Sequence, residues 1–565
     1  MQARLTRLCW RWGEGAEPLV NPIAQVPGLC VYALTISPAE VADEAQRPKL
    51  GYQPPDNQTM RSLTRCHRFL STSGGTRGEA GSILFLSPSL WPEPSSSAAG
   101  VRTSSLLQHF ASKPSLFTSV NYGSGAPKPS SLTEYAHLHS LSTDYGIKLH
   151  NIPTNRSNAI KQKLSNEFQD LDAVVFDRYF AEEAYSFHLQ QLKPNVLRIL
   201  DMQDFHALRL ARQVLLENST SKNNDGYWMD DVLMDRLMAC TPTHRYGIGK
   251  TGRDELHDTR KRKKKSKNTS DALLRELASI HRSDLTLVCS REEYDILTEE
   301  FKIDPAKLCI APFFSKENAM SYDSPDHQFD QRNDFCVLGG LRHPPNVDSV
   351  KWLKSEIWPK ISAQIPDAKV HIWGAYPPQH IMQLNDPKRG FLVHGKLNYL
   401  SQELSTRRVL LAPLRFGAGI KGKIVDAWEY GCPVVTTPIG AEGTAMSREC
   451  LGSCTVRSGH RQDAIDDTGW GGLVATDAEA IARCAIRLYK DKGLWEEARN
   501  NSRRLLRMIF DKEKNLLIVN NAIEDALLNR DERRSRDSVG AMLWHQTMRS
   551  TEYFSRWIEL KEENK

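Results

Sequence analysis

Between residues 333 and 446, short apolar runs alternate with helix-like stretches, and no other feature constrains the fold as much. The order is DFCVLGG, helix NVDSVKWLKSEIWPKI, strand AKVHIWG, strand FLVHG, helix LSQELST, strand RVLLAPL, loop RFGAGIKGK, helix IVDAWEYG and strand CPVVTTP. The strands are short and largely apolar throughout, as when helices cover both faces. Such an alternation predicts an α/β fold built on a parallel, doubly wound sheet. A fainter series precedes it. Its strand candidates lie at 82–88, 117–120, 172–176, 195–200, 285–289 and 309–311, with helices at 181–191, 205–216 and 271–281.

With 565 residues the chain exceeds what one core organises. Two domains are therefore expected, at 81–315 and 333–530, joined by the polar stretch 316–332. Residues 531–565 form a C-terminal segment in which Leu543, Trp544, Met548, Phe554 and Trp557 interrupt charges, the pattern of an amphipathic docking helix. Residues 240–270 break the pattern, and their six consecutive cations at 260–265 read as a solvated, disordered insertion. The net charge of +6 is concentrated there, so no broad nucleic-acid-binding face is implied.

Residues 1–80 read as a disordered leader. From Met60 they carry Arg61, Arg65, Arg68 and Arg77 with no acid before Glu79, a composition like that of a mitochondrial transit peptide. Cys289, Cys309 and Cys336 sit in apolar runs as buried thiols would, which favours a reducing, intracellular and cytoplasmic setting with mitochondrial import as the alternative. No run approaches the roughly eighteen apolar residues of a membrane span, although contact with a membrane surface stays open.

The chemistry is concentrated in VLLAPLRFGAGIKGKIVDAWEYGCPVVTTPIGAEG, residues 409–443. A buried strand runs into a glycine-rich loop, and a helix follows. Gly417, Gly419 and Gly422 let backbone approach a ligand, and the helix N-terminus favours an anion. Lys421 and Lys423 add two cations within one turn of that point, and Arg415 stands just before the loop. The arrangement suits a diphosphate. The same glycines also spell G-x-G-x-x-G, with Glu442 twenty residues beyond Gly422, so a nicotinamide dinucleotide is a competing ligand. That fingerprint belongs on the first strand–helix turn of a domain, whereas several strands precede it here.

This region resembles the donor-binding domain of glycosyltransferase family 4, a group of retaining enzymes with the GT-B fold. FCVLGGLRHPPNVDSVKWLKSEIWPKISAQIPDAKVHIWG is similar to the domain's opening, and APLRFGAGIKGKIVDAWEYGCPVVTTPIGAEG to its signature. The resemblance implies two Rossmann-like domains facing a cleft, with a helical C-terminal extension that crosses back to the first. It implies a nucleotide-sugar as co-substrate, no cofactor, no metal, and an acceptor hydroxyl of unidentified origin. Lys421, Lys423 and Asp426 would carry catalysis with His206, which follows a strand end in the first domain. Gly340, Arg342, Arg415, Gly417, Gly419, Gly422 and Glu442 would line the donor side, and Gly100 and Arg102 the acceptor side. His343, Asp201 and Asp204 share these loops.

Two departures qualify the likeness. The paired glutamates of typical members fall at Ala418 and Asp426, so one carboxylate is missing and the other is shortened. The usual Arg and Lys after the domain's first strand fall at Gly340 and Asn346. Three functions are therefore carried forward: a retaining glycosyltransferase, a non-catalytic nucleotide-sugar-binding protein, and an NAD-dependent oxidoreductase.

Overall fold

The computed structural model describes residues 81–94, 97–127, 129, 132–154, 157–218, 259–315, 328–397, 399–445, 455–456 and 469–546. The leader 1–80, with its Met60 segment, lies outside them, as do most of the linker 316–332 and residues 547–565.

The first sheet contains β1 (Ser82–Ser87), β2 (Ser119–Ser124), β3 (Lys148–Asn151), β4 (Leu171–Asp177), β5 (Leu197–Asp201), β6 (Leu285–Val288) and β7 (Leu308–Ile310), in the order β3-β2-β1-β4-β5-β6-β7. The second contains β8 (Asn333–Leu338), β9 (Val370–Trp373), β10 (Phe391–Gly395), β11 (Arg407–Ala412), β12 (Val434–Thr436), β13 (Thr455–Val456) and β14 (Gly472–Ala475), in the order β10-β9-β8-β11-β12-β14-β13. All pairings within both sheets are parallel. Central strands read as apolar runs because helices bury both faces: Ile83 and Phe85 join one cluster of the first domain, Leu84 and Leu86 the other.

Three expectations need correction. Residues 260–265 are not an irregular insertion, because the helix Thr259–Arg282 runs through them. Lys and Arg are good helix formers, and the run continues into a stretch that buries Ala272, Leu273, Glu276 and Ile280. The chain returns to the first domain earlier than 531–565. The helix Lys512–Leu528 inserts Leu516, Val519, Ile523 and Ala526 into the cluster of Phe85, Phe110 and Leu285, whereas Leu505, Leu506 and Phe510 still pack on the second domain. The second domain therefore ends near Phe510 rather than at residue 530. Residues 328–331 are not linker either, since Phe329 opens the second domain's core.

The segment after that helix follows the N-terminal strand ends of the first domain. Arg534 donates to the carbonyls of Pro194 and Val196 (both 2.7 Å) and pairs with Asp284, and Trp544 Nε1 donates to the Arg282 carbonyl at 3.1 Å.

Candidate active site between the two sheets

In a doubly wound sheet, ligands bind beyond the C-terminal strand ends where the strand order reverses. In the second domain that point lies between β8 and β11, and the loops leaving them are residues 339–343 and 413–421. The first loop carries Gly339 and Gly340, the second the glycine-rich sequence and Lys421. The helix Gly422–Glu429 starts directly after it, with Lys421 as N-cap.

The two lysines have distinct settings. Lys423 Nζ donates to Asn346 Oδ1 at 2.6 Å, and Asn346 Nδ2 donates to the Gly340 carbonyl at 3.0 Å. A Cβ on Gly339, whose φ is +148°, would meet the Asn346 amide at 2.6 Å and Lys423 Nζ at 2.8 Å, so glycine is required there. A Cβ on Gly340 would meet nothing within 4 Å among the described residues, so this position opens onto free space. Burial, and then the neighbouring Lys421 charge, push the Lys423 amine down to about 7. Lys421 Nζ donates to the Gly419 carbonyl and lies 3.8 Å from Glu442 Oε2. Burial lowers this amine too, against the pull of Glu442.

The first domain closes over the same loop. Arg212, fully buried on the helix His206–Asn218, donates to both carboxylate oxygens of Glu442 (2.8 Å each) and to the Gly417 carbonyl (2.7 Å). Gly419, at φ +64°, leaves no room for a side chain: its Cβ would come within 3.1 Å of Asp204 Cβ and 3.4 Å of Glu293 Oε1. A Cβ on Gly422 would meet Ala98 at 2.7 Å, and the Gly443 N–H donates to Glu292 Oε1 at 3.2 Å. Glu293 accepts from the Phe205 N–H at 2.8 Å, and burial pushes its carboxyl up to about 8. The glycines thus serve two ends: Gly339 lets Asn346 and Lys423 pack against the backbone, and Gly419, Gly422 and Gly443 allow the close contact between the domains.

Comparison with known families fits this geometry. Residues 332–491 match the family model of glycosyl transferases group 1. The match falls within the second domain. No curated protein matches the sequence significantly. Similar solved structures include a Rickettsia africae glycosyltransferase (12% identity, 79% of this chain and 99% of that one, TM-score 0.48). Another is Anabaena HepE in complex with UDP and glucose (12%, 80% and 100%, TM-score 0.47). A third is S. aureus TarM in a complex that includes UDP (12%, TM-score 0.42), where the match spans 65% of this chain and 58% of that one. The two doubly wound domains meeting at their C-terminal strand ends form a GT-B architecture.

Within this two-domain frame the remaining candidates fall into two groups. Near the cleft, Asp426 is half-buried on the helix that begins at Lys421, one turn beyond Lys423. His206 lies in the first domain, its Nδ1 3.3 Å from Glu276 Oε1 and 3.5 Å from Asp204 Oδ1, with Tyr179 edge-on. Glu276 also caps this helix, accepting from the N–H groups of His206 (2.8 Å) and Ala207 (2.7 Å). Asp204 pairs with Arg209 at 3.3 Å, and Arg209 reaches across to His343 Nε2 at 2.8 Å. Burial and the Arg209 charge push the His343 ring down to about 4, so it accepts as a neutral imidazole.

The other group is occupied elsewhere. Arg102 is fully buried, bound to Asp201 (3.0 and 3.1 Å) and to the carbonyls of Ala311 and Pro312, where it ties strand ends together. Gly100 packs onto Glu93 backbone, where any Cβ would come within 2.2 Å of the carbonyl oxygen, and its N–H is capped by Ser97. Arg415 forks onto Asp348 and lies over Trp352. Arg342 is exposed, over the Tyr376 ring at 4.9 Å. Glu442, the acid that a dinucleotide fingerprint would offer to a ribose, is enclosed against Arg212.

Sequence reading missed Arg212, Arg209, Glu293 and Arg178. Arg212 left a signal: it shares a face with the buried Leu208, Ala211 and Leu215, where a cation requires a partner. Arg178 left none. It stands at the first domain's own reversal point, after β4, with φ 68° and ψ 168°, a conformation nearly reserved for glycine. Its guanidinium folds back onto Asp177 (3.1 and 2.9 Å), which also accepts from the Ser87 hydroxyl at 3.2 Å.

Proposed function

We propose that this protein transfers a glycosyl unit from a nucleotide-sugar to an acceptor hydroxyl, with retention and without a metal ion. The observation that carries the reading is the placement of Lys421 and Lys423 with the Gly339–Gly340 loop at the second domain's reversal point. In the reaction the bond from the sugar's anomeric carbon to the diphosphate breaks, and the acceptor oxygen bonds to that carbon on the same face. The acceptor proton leaves with the diphosphate. Lys421, Lys423 and the N-terminus of the helix Gly422–Glu429 meet the charge that develops on the leaving group. Asp426 accepts from donor hydroxyls. His206, braced by Asp204 and Glu276, faces the acceptor side, with Arg178 beyond it.

The test is donor titration and turnover with a panel of UDP-, GDP- and ADP-sugars, followed by the Lys421→Ala, Lys423→Ala double variant. Charge-assisted contacts contribute about 1.5–3 kcal/mol each, so affinity should fall by about two to four powers of ten with the fold intact. Unchanged affinity would place the phosphate elsewhere. Ala418 favours a second reading, a binding protein without turnover, because the carboxylate usual at that position is missing. Donor binding with neither transfer nor slow donor hydrolysis would select it.

A further inference from the structure

Lys421 can serve a diphosphate only if its charge is not already matched, yet Glu442 lies 3.8 Å away in the same buried pocket. The carboxylate is held instead by Arg212, which grips both of its oxygens and the Gly417 carbonyl. We propose that Arg212, a residue of the first domain, is a positioning residue for donor binding: by taking the Glu442 charge it leaves Lys421 free for the diphosphate, so the phosphate site is complete only when both domains are assembled. The inference rests on the donor-site reading above.

The neighbouring charges agree with this division. Lys421 also lies in the field of Glu293 and Asp204. Glu293 is held largely protonated at neutral pH by its burial, and Asp204 pairs with Arg209. Glu442 is therefore the carboxylate nearest to neutralising Lys421, and Arg212 is what occupies it. Without Arg212, a desolvated carboxylate would remain next to Lys421 and take it as counterion, since an uncompensated buried charge is strongly disfavoured.

The experiment measures binding of UDP, GDP and ADP to the full chain by calorimetry, using whichever binds most tightly as probe. Arg212→Met should weaken the probe by about ten- to hundredfold, the equivalent of one lost charge-assisted contact. Arg212→Met combined with Glu442→Gln removes the stranded carboxylate and should restore affinity to within about threefold of wild type. A residue that merely braced the loop would show no such rescue. Wild-type affinity in Arg212→Met overturns the proposal, as does a double variant no tighter than the single one. If Arg212→Met does not fold, Arg212→Lys replaces it. This variant keeps the charge opposite Glu442 and should stay within about threefold of wild type, whereas a loss of tenfold or more overturns the proposal. Failure of the wild type to bind any of the three nucleotides would instead sink the donor-site reading.

Discussion

Ala418 and Gly340 depart from the pattern that the family resemblance implies, and the fold gives each a physical counterpart. Ala418 joins the first domain's apolar cluster beside residues such as Met202 and Phe205, where a carboxylate would be desolvated at considerable cost. A Cβ at Gly340 would meet nothing within 4 Å among the described residues, so a side chain there would point into open space. On the proposed donor-site reading, Lys423 should make donor binding pH-dependent. Its free-state value of about 7 should rise when a diphosphate sits against it. A group whose bound value exceeds its free value contributes fully below the free value and loses that contribution as pH rises. Affinity for a nucleotide-sugar should therefore be highest below about pH 7 and decline above it, with protons taken up on binding. Calorimetry at pH 8 in two buffers of different ionisation enthalpy would read that uptake, and Lys423→Arg should abolish it. Binding without proton exchange in the wild type would separate Lys423 from the phosphates.

Among the elements, the helix Lys512–Leu528 shows how far sequence order and spatial order diverge. It follows the whole second domain in the chain, yet Leu516, Val519, Ile523 and Ala526 complete a core of the first. Leu516→Ala should therefore destabilise the first domain by about 2–5 kcal/mol, as cavities in buried cores do. Its neighbour Leu517, 56% exposed, should change stability by no more than about 0.5 kcal/mol when replaced by Ala. Hydrogen exchange of β6 and β7, measured beside global unfolding, would show whether the loss falls there. Equal effects at the two leucines would mean that the helix is not docked. Among the described residues, three strands were missed from sequence. β3 is a polar edge strand with no fully buried residue and β13 is only two residues long, so neither presents an apolar run. β14 is fully buried and apolar, but at four residues it is too short to stand out by periodicity.

In the whole molecule, the candidate donor site is a product of both sheets, and its cations come from side chains on the second. Transfer should therefore proceed at the same rate with and without excess chelator, and proton NMR of the product should show the donor's anomeric configuration kept. A rate lost to chelator and restored by a divalent ion would show that the lysines do not carry the leaving-group charge alone. Sequence by itself determined the parallel sheets, the glycine loop and the placement of Lys421 and Lys423 at a helix start, because strand periodicity, loop chemistry and helix onset are local properties. It indicated that a C-terminal element returns to the first domain, but not which residues turn back. Only the tertiary structure decided what Glu442 does: its partner Arg212 is 230 residues away, and nothing local to either announces the other. The same holds for Arg102, whose buried pairing with Asp201 spans 99 residues and makes a candidate acceptor contact into a tie between strand ends. Packing sets the charge state of Lys423, the strain at Arg178 and the partner of each buried ion, because desolvation and pairing depend on which surfaces meet.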